Sequence, residues 1–204
     1  MPSKNINTLK PSYNKNVLEC GTDEAGRGCL AGSVCAAAVI LPEDFSHPLL
    51  NDSKQLSDAQ RRKLRPIIEE NALAFAVAEV SNTEIDKINI LEASILAMNL
   101  AVKQLKITPE FILIDGNRFH TDLDIPFKTI IKGDATFMSI AAASVLAKTY
   151  RDDTMIKLAE QYPKYNWQKN KGYPTKDHRQ AIKQYGITPY HRKTFNLLGE
   201  LSLF

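Results

Sequence analysis

Two adjacent carboxylates, Asp23 and Glu24, close an apolar run and are followed at once by Ala25-Gly26-Arg27-Gly28. Carboxylates carried by a strand suit hard, oxygen-seeking cations such as Mg²⁺ or Mn²⁺. Glycine lets a backbone come close to a ligand, because no Cβ stands in the way. A metal site beside a close-approach turn points to chemistry on a phosphate-containing polymer. A polar turn that merely ends a strand would use the same residue types, so the other acids must decide.

Asp115 closes the apolar run Phe111-Ile112-Leu113-Ile114 and precedes Gly116. It fits a metal site, and it equally fits an Asx-turn with glycine supplying positive φ. Asp134 lies in Lys132-Gly133-Asp134-Ala135-Thr136, just before the small-residue run Ile140-Ala141-Ala142-Ala143-Ser144. Aspartate is a favoured helix N-cap, worth about 1 kcal/mol, so capping and ligation both stay open. Other chemistries fit less well. The glycines from Gly26 to Gly32 miss the dinucleotide spacing, and no Walker A lysine follows a glycine loop. His47, His120, His178 and His191 lack the spacing of a zinc site. Ser144 and Lys148 are four apart, one residue off the Ser-x-x-Lys spacing. The four acids remain.

A strand over 17–22 delivers Asp23, and a second over 32–41 is close enough for an antiparallel pair. Ser57 and Gln60 form a capping-box pattern at a helix start, and Pro66 is expected to kink or split that helix. A third strand is predicted over 73–80. Helices follow over 82–87 and 91–106, the latter with Leu91, Ile95, Met98 and Val102 on one stripe, ended by Pro109. A buried strand over 111–116, a fifth over 127–132, a long helix over 139–161 and a shorter one over 175–185 complete the chain. Strands and helices in this order describe a mixed α/β sheet. Sites in such sheets form beyond the carboxyl ends of parallel strands. If the first and fourth strands are parallel neighbours, Asp23 and Asp115 meet. Residues 1–15 read as a polar, flexible segment, 16–160 as a catalytic domain, and 161–204 as a helical, basic extension.

The 204 residues, 44% apolar and 24% charged, suit one large globular domain. A net charge of +3 is small, but residues 164–193 hold eight Lys and Arg against the single acid Asp177. Tyr165, Trp167, Tyr173, Tyr185 and Tyr190 interleave with them, the mixture expected where phosphates and sugar faces are gripped. A solvated basic tail is the plainer reading. Cys20, Cys29 and Cys35 show no Cys-x-x-Cys spacing and read as buried small hydrophobes of a reducing cytosol. No stretch is apolar enough to span a bilayer and residues 1–16 lack a signal-peptide core, so a cytoplasmic monomer is expected.

Six stretches, in order along the chain, resemble the prokaryotic type 2 ribonucleases H, the ribonuclease HII family. They are Asp23-Glu24-Ala25-Gly26-Arg27-Gly28, Asp52-Ser53-Lys54-Gln55-Leu56-Ser57, Ile114-Asp115-Gly116, Lys132-Gly133-Asp134, Ala142-Ala143-Ser144-Val145-Leu146-Ala147-Lys148 with Arg151-Asp152, and Gly172-Tyr173-Pro174-Thr175. The resemblance covers residues 17–195; Cys29 stands where proline is usual. It implies a ribonuclease H-like mixed five-stranded sheet flanked by helices, with a helical C-terminal extension. It implies a site for Mg²⁺ or Mn²⁺ made by Asp23, Glu24, Asp115 and Asp134. Gly26, Arg27 and Gly28 would read a ribose 2′-hydroxyl mainly through backbone, the group that separates RNA from DNA. Tyr173 would stack on the next sugar, and Lys54, Lys148 and Arg151 would hold phosphates or the acidic cluster. The implied reaction is two-metal hydrolysis, with ions about 4 Å apart, cutting RNA in RNA–DNA hybrids and 5′ of single ribonucleotides in duplex DNA. Such cuts leave a 3′-hydroxyl and a 5′-phosphate and begin ribonucleotide excision repair. A hybrid-binding module and a broader metal-dependent nuclease on the same fold are the rivals. The end Glu200-Leu201-Ser202-Leu203-Phe204 resembles the peptide that binds the bacterial β sliding clamp, with glutamate in place of glutamine. Leu201, Leu203 and Phe204 would fill an apolar pocket there.

Overall fold

Seven small and branched residues, Val34–Ile40, form strand β2 in a computed structural model that describes residues 9–50 and 56–199. All seven are buried, because the strand is covered on both faces. β2 pairs antiparallel with β1 (Glu19–Ala25) on one side and with β3 (Ala74–Val80) on the other. β1 then pairs in parallel with β4 (Phe111–Asp115), and β4 in parallel with β5 (Phe127–Ile130). The five-stranded sheet therefore runs β3-β2-β1-β4-β5, mixed as expected, with β1 and β4 side by side at its centre.

Helices cover both faces. Helix α1 (Asp58–Asn71) opens on the full Ser57–Gln60 capping box and buries Leu64 and Ile68. Helix α2 (Asn82–Lys103) packs Ile95, Met98 and Val102 on the face carrying Val34, Ala36, Ile112 and Ile114. Helix α3 (Met138–Gln161) lays Ala141, Ala142, Ala143, Val145 and Leu146 on the opposite face, against Ala37 and Val39. Its approach to β1 is very close: a Cβ on Gly21 would lie 2.3 Å from the backbone of Ser139. Beyond α3, the short helix α4 (Trp167–Asn170) and α5 (Lys176–Tyr185) gather Tyr165, Trp167, Ala181 and Ile182 into a satellite core with Leu30, Ala31 and Met155.

Several expectations change. β1 continues through Glu24 and Ala25, so the two acids lie inside the strand and not in a turn after it. α1 passes Pro66 as one helix; the buried Leu64 and Ile68 hold it on the sheet either side of the missing donor. The two helices expected over 82–106 join at Asn89, whose φ of 68° breaks the helical path while its Oδ1 accepts from the Leu91 and Glu92 amides. Residues 9–15 are not a loose lead-in: Leu9 is buried, Lys10 bonds to Thr136 and Met138, and Glu19 accepts from the Tyr13 and Asn14 amides.

Candidate active site

The parallel register of β1 and β4 pairs Thr22 with Ile114, so Asp23 and Asp115 are the next step along. Alternation sends Thr22 toward Met98 of α2 and Asp23 toward Ser144 of α3. Glu24 follows on the α2 side, where its Oε1 accepts from Arg27 at 3.0 Å. All three acids still line one cleft of about 370 Å³, because they stand at the strand ends where the sheet opens. Asp115 Oδ1 accepts from the Gly133 amide at 2.7 Å, which ties it to the 3₁₀ turn Gly133–Ala135. Asp134 sits in that turn, 1% exposed, and does not cap α3, whose N-cap is Phe137. It is not among the residues that line the cleft.

The electrostatics of these acids invite a cation. Burial pushes the Asp23 carboxyl well above the usual carboxylate range, helped by the charges of Glu24 and Asp115 and opposed by a hydrogen bond with Ser144. Burial also raises Glu24, against the pull of the Arg27 guanidinium. Glu24 Oε2 is buried with no hydrogen-bond partner, a cost that a bound ion would remove. Among the described residues no three acids are drawn together as a ready-made cage. An all-oxygen donor set with one orphaned carboxylate oxygen fits Mg²⁺ or Mn²⁺.

The same cleft is also lined by the turn Gly26-Arg27-Gly28 and by Tyr173. Gly26 has φ +97°, and a Cβ there would lie 1.9 Å from Arg151 Nε. Gly28 is different: a Cβ would meet nothing within 4 Å, and its φ is not positive. The fold does not require that glycine, so the empty space beside it is suited to a ligand. Tyr173 is 39% exposed, and Lys148 Nζ lies 5.4 Å from its ring centroid while pairing with Asp152. Close to its phenol is Cys29, which is fully buried. Burial raises that thiol's pKa, which keeps it protonated and unreactive.

The expected set does not all converge. Arg151 is fully buried and does not face the cleft; its guanidinium donates to the carbonyls of Ser33, Ala31 and Lys171 at 2.9–3.0 Å. A phosphate-holding role gives way to holding backbone. Tyr165 and Trp167 are buried core rings, with the Trp167 indole donating to His178, so the basic, aromatic stretch is not one continuous stacking platform. Lys54, Leu201, Leu203 and Phe204 lie outside the described residues. Two polar lining residues were missed, Ser144 and Arg61. Ser144 was readable: with Lys148 it makes a polar i, i+4 stripe on a helix otherwise full of alanine. Arg61 lies among exposed helix-surface charges and carries no such signal.

Comparison with known proteins identifies the family and the fold. A family model described as Ribonuclease HII matches residues 20–198. Ribonuclease HII of Bacteroides thetaiotaomicron is 65% identical over 192 residues, covering 94% of this chain and 96% of its own. Among solved structures, ribonuclease H2 of Pyrococcus horikoshii superposes with a TM-score of 0.73 at 27% identity, covering 88% of this chain and 94% of its own. Bst-RNase HIII in complex with Mn²⁺ shares the fold with a TM-score of 0.75 at 20% identity, covering 97% and 72%. The chain belongs to the ribonuclease HII family and is a type 2 ribonuclease H, a metal-dependent endonuclease.

Proposed function

We propose that this enzyme cuts RNA in RNA–DNA hybrids and on the 5′ side of single ribonucleotides embedded in duplex DNA, as in ribonucleotide excision repair. One observation carries the reading: β1 and β4 run parallel, setting Asp23 and Asp115 in a cleft that the Gly26-Arg27-Gly28 turn and Tyr173 also line. Divalent ions held by Asp23, Glu24 and Asp115, with Asp134 beside them, would supply Lewis acidity at the scissile phosphate. The chain's own residues do the rest. The Ser144 bond orients Asp23, and the Gly133 amide fixes Asp115. The open face at Gly28 admits a ribose close to the backbone, where its 2′-hydroxyl distinguishes it from deoxyribose. Tyr173 offers a half-exposed ring for the neighbouring sugar, and Lys148 and Arg61 add positive charge along the same cleft. Water's oxygen joins phosphorus as the P–O3′ bond breaks, and the 3′-oxygen takes up a proton. The products are a 3′-hydroxyl and a 5′-phosphate.

A DNA duplex with one embedded ribonucleotide, incubated with Mg²⁺ or Mn²⁺ and mapped at nucleotide resolution, tests this. A single cut 5′ of the ribonucleotide is expected. Binding without a cut would instead favour a hybrid-binding module, and cutting only of long hybrids would favour a broader nuclease. For the tail, the Leu201, Leu203 and Phe204 pattern alone supports a sliding-clamp contact.

A further inference from the structure

Arg192 comes from the far end of the chain, yet it is fully buried beneath the Gly26-Arg27-Gly28 turn. Its Nη2 donates to the Gly26 carbonyl at 2.7 Å and its Nη1 to the Arg27 carbonyl at 2.8 Å. Nε donates to Gly32 at 3.0 Å, and Nη2 also to Ser33 at 3.1 Å. Around it the backbone is stitched: the Arg192 amide bonds to Leu30, Gly32 bonds to Tyr190, and Leu30 bonds to Gly172. Arg151 lies alongside, sharing the Ser33 carbonyl. Among the described residues, neither guanidinium has a carboxylate within ion-pair distance. Burial pulls Arg192 down to about 10, so its guanidinium stays charged at neutral pH.

What this does to the turn follows from peptide geometry. No peptide in the described chain is cis. In a trans peptide the carbonyl and the following N–H point to opposite sides. With the carbonyls of Gly26 and Arg27 pulled inward to Arg192, the amides of Arg27 and Gly28 must point outward. Neither amide finds an acceptor among the described residues. Outward lies the cleft, and beside Gly28 no side chain fills the space. Two donors thus face the place where a ribose oxygen would arrive.

We infer that Arg192 is a specificity-setting positioning residue: by holding two carbonyls inward it presents the Arg27 and Gly28 amides to a ribonucleotide and so determines discrimination against deoxyribose. The inference rests on the ribonucleotide-cutting reading above. Hydrogen bonds to four carbonyls from a planar fork are what arginine supplies and lysine cannot.

The test compares Arg192→Met and Arg192→Lys with the unaltered enzyme, after circular dichroism and thermal melting show which are folded. KM and kcat are measured on a duplex with one ribonucleotide, and Ki for the all-DNA duplex is measured in competition. Arg192→Met is expected to raise KM about tenfold while kcat stays within about threefold and Ki is unchanged, so the selectivity ratio Ki/KM falls about tenfold. Arg192→Lys, keeping the charge but not the fork, is expected to fall in between. A folded Arg192→Met with unchanged Ki/KM, or with kcat reduced and KM unaltered, overturns the assignment. Should Arg192→Met not fold, Arg192→Lys decides alone, and an unchanged ratio in it overturns the assignment equally. A different failure would show in the unaltered enzyme: a Ki/KM near one would sink the ribonucleotide reading itself.

Discussion

At the scale of single residues, the informative conflict is Asp23, a buried acid beside two others. Its folded-state pKa is raised first by burial and then by Glu24 and Asp115. A carboxyl raised above its unfolded value contributes stability that is complete below the unfolded pKa and lost as pH rises through the folded one. At neutral pH without metal, Asp23 therefore works against the fold. Asp23→Asn is expected to lower kcat about a hundredfold or more, yet to raise the metal-free melting temperature by about 3 °C. Calorimetry with a chelator checks the second half; a folded variant that melts lower than the parent would show that the acids do not strain the apoprotein. Added Mn²⁺ should stabilise the parent more than the variant, because it relieves the same repulsion. The acids themselves were legible from the run Asp23-Glu24 and from Asp115 closing an apolar strand. Asp134 was legible only as a capping or ligating alternative, because nothing local told that a 3₁₀ turn would bury it.

At the scale of elements, the turn after β1 separates a glycine the fold needs from one it leaves open. Gly26→Ala would force a Cβ into Arg151 from a φ of +97°, a cost of about 2–3 kcal/mol in urea denaturation. Gly28→Ala meets no neighbour, so stability should stay within about 0.5 kcal/mol while KM on the ribonucleotide duplex rises about tenfold. Equal destabilisation by both, or an unchanged KM in Gly28→Ala, would remove the claim that this space belongs to substrate. The strands and main helices were readable to within a few residues because each carries its own period and cap, as Ser57 and Gln60 do for α1. What was not readable came from outside the element. β1 runs on to Ala25 because β2 keeps pairing with it as far as Cys35, and α1 ignores Pro66 because the sheet beneath holds both flanks.

For the whole molecule, the C-terminal third proved to be core as much as surface. Composition showed lysines and aromatics together but could not say which rings face inward. Trp167, His178 and His191 are buried in contact: the indole donates to His178 Nε2 at 2.9 Å, and His191 accepts from the Thr188 amide at 2.9 Å. Burial lowers the His191 pKa to about 4, and lowers His178 as well. A histidine depressed in the fold keeps its full stabilising effect above the unfolded value near 6.5 and loses it as pH falls toward the folded value. Unfolding free energies from urea titrations should therefore drop between pH 7 and 5, by about 2 kcal/mol for His191. A flat profile over that range would be inconsistent with a neutral, buried pair. His178 Nδ1 also meets the Tyr173 carbonyl at 2.9 Å, so this core braces the loop that carries the exposed ring.

Arg192 reaches back to Gly26 across 166 positions of sequence. During synthesis, the acids and the central strands leave the ribosome long before this guanidinium. If Arg192 sets the turn as inferred, a nascent polypeptide carries its carboxylates before the brace that would point two amides at a sugar. Sugar discrimination would then wait for a residue 166 positions downstream of the turn it serves.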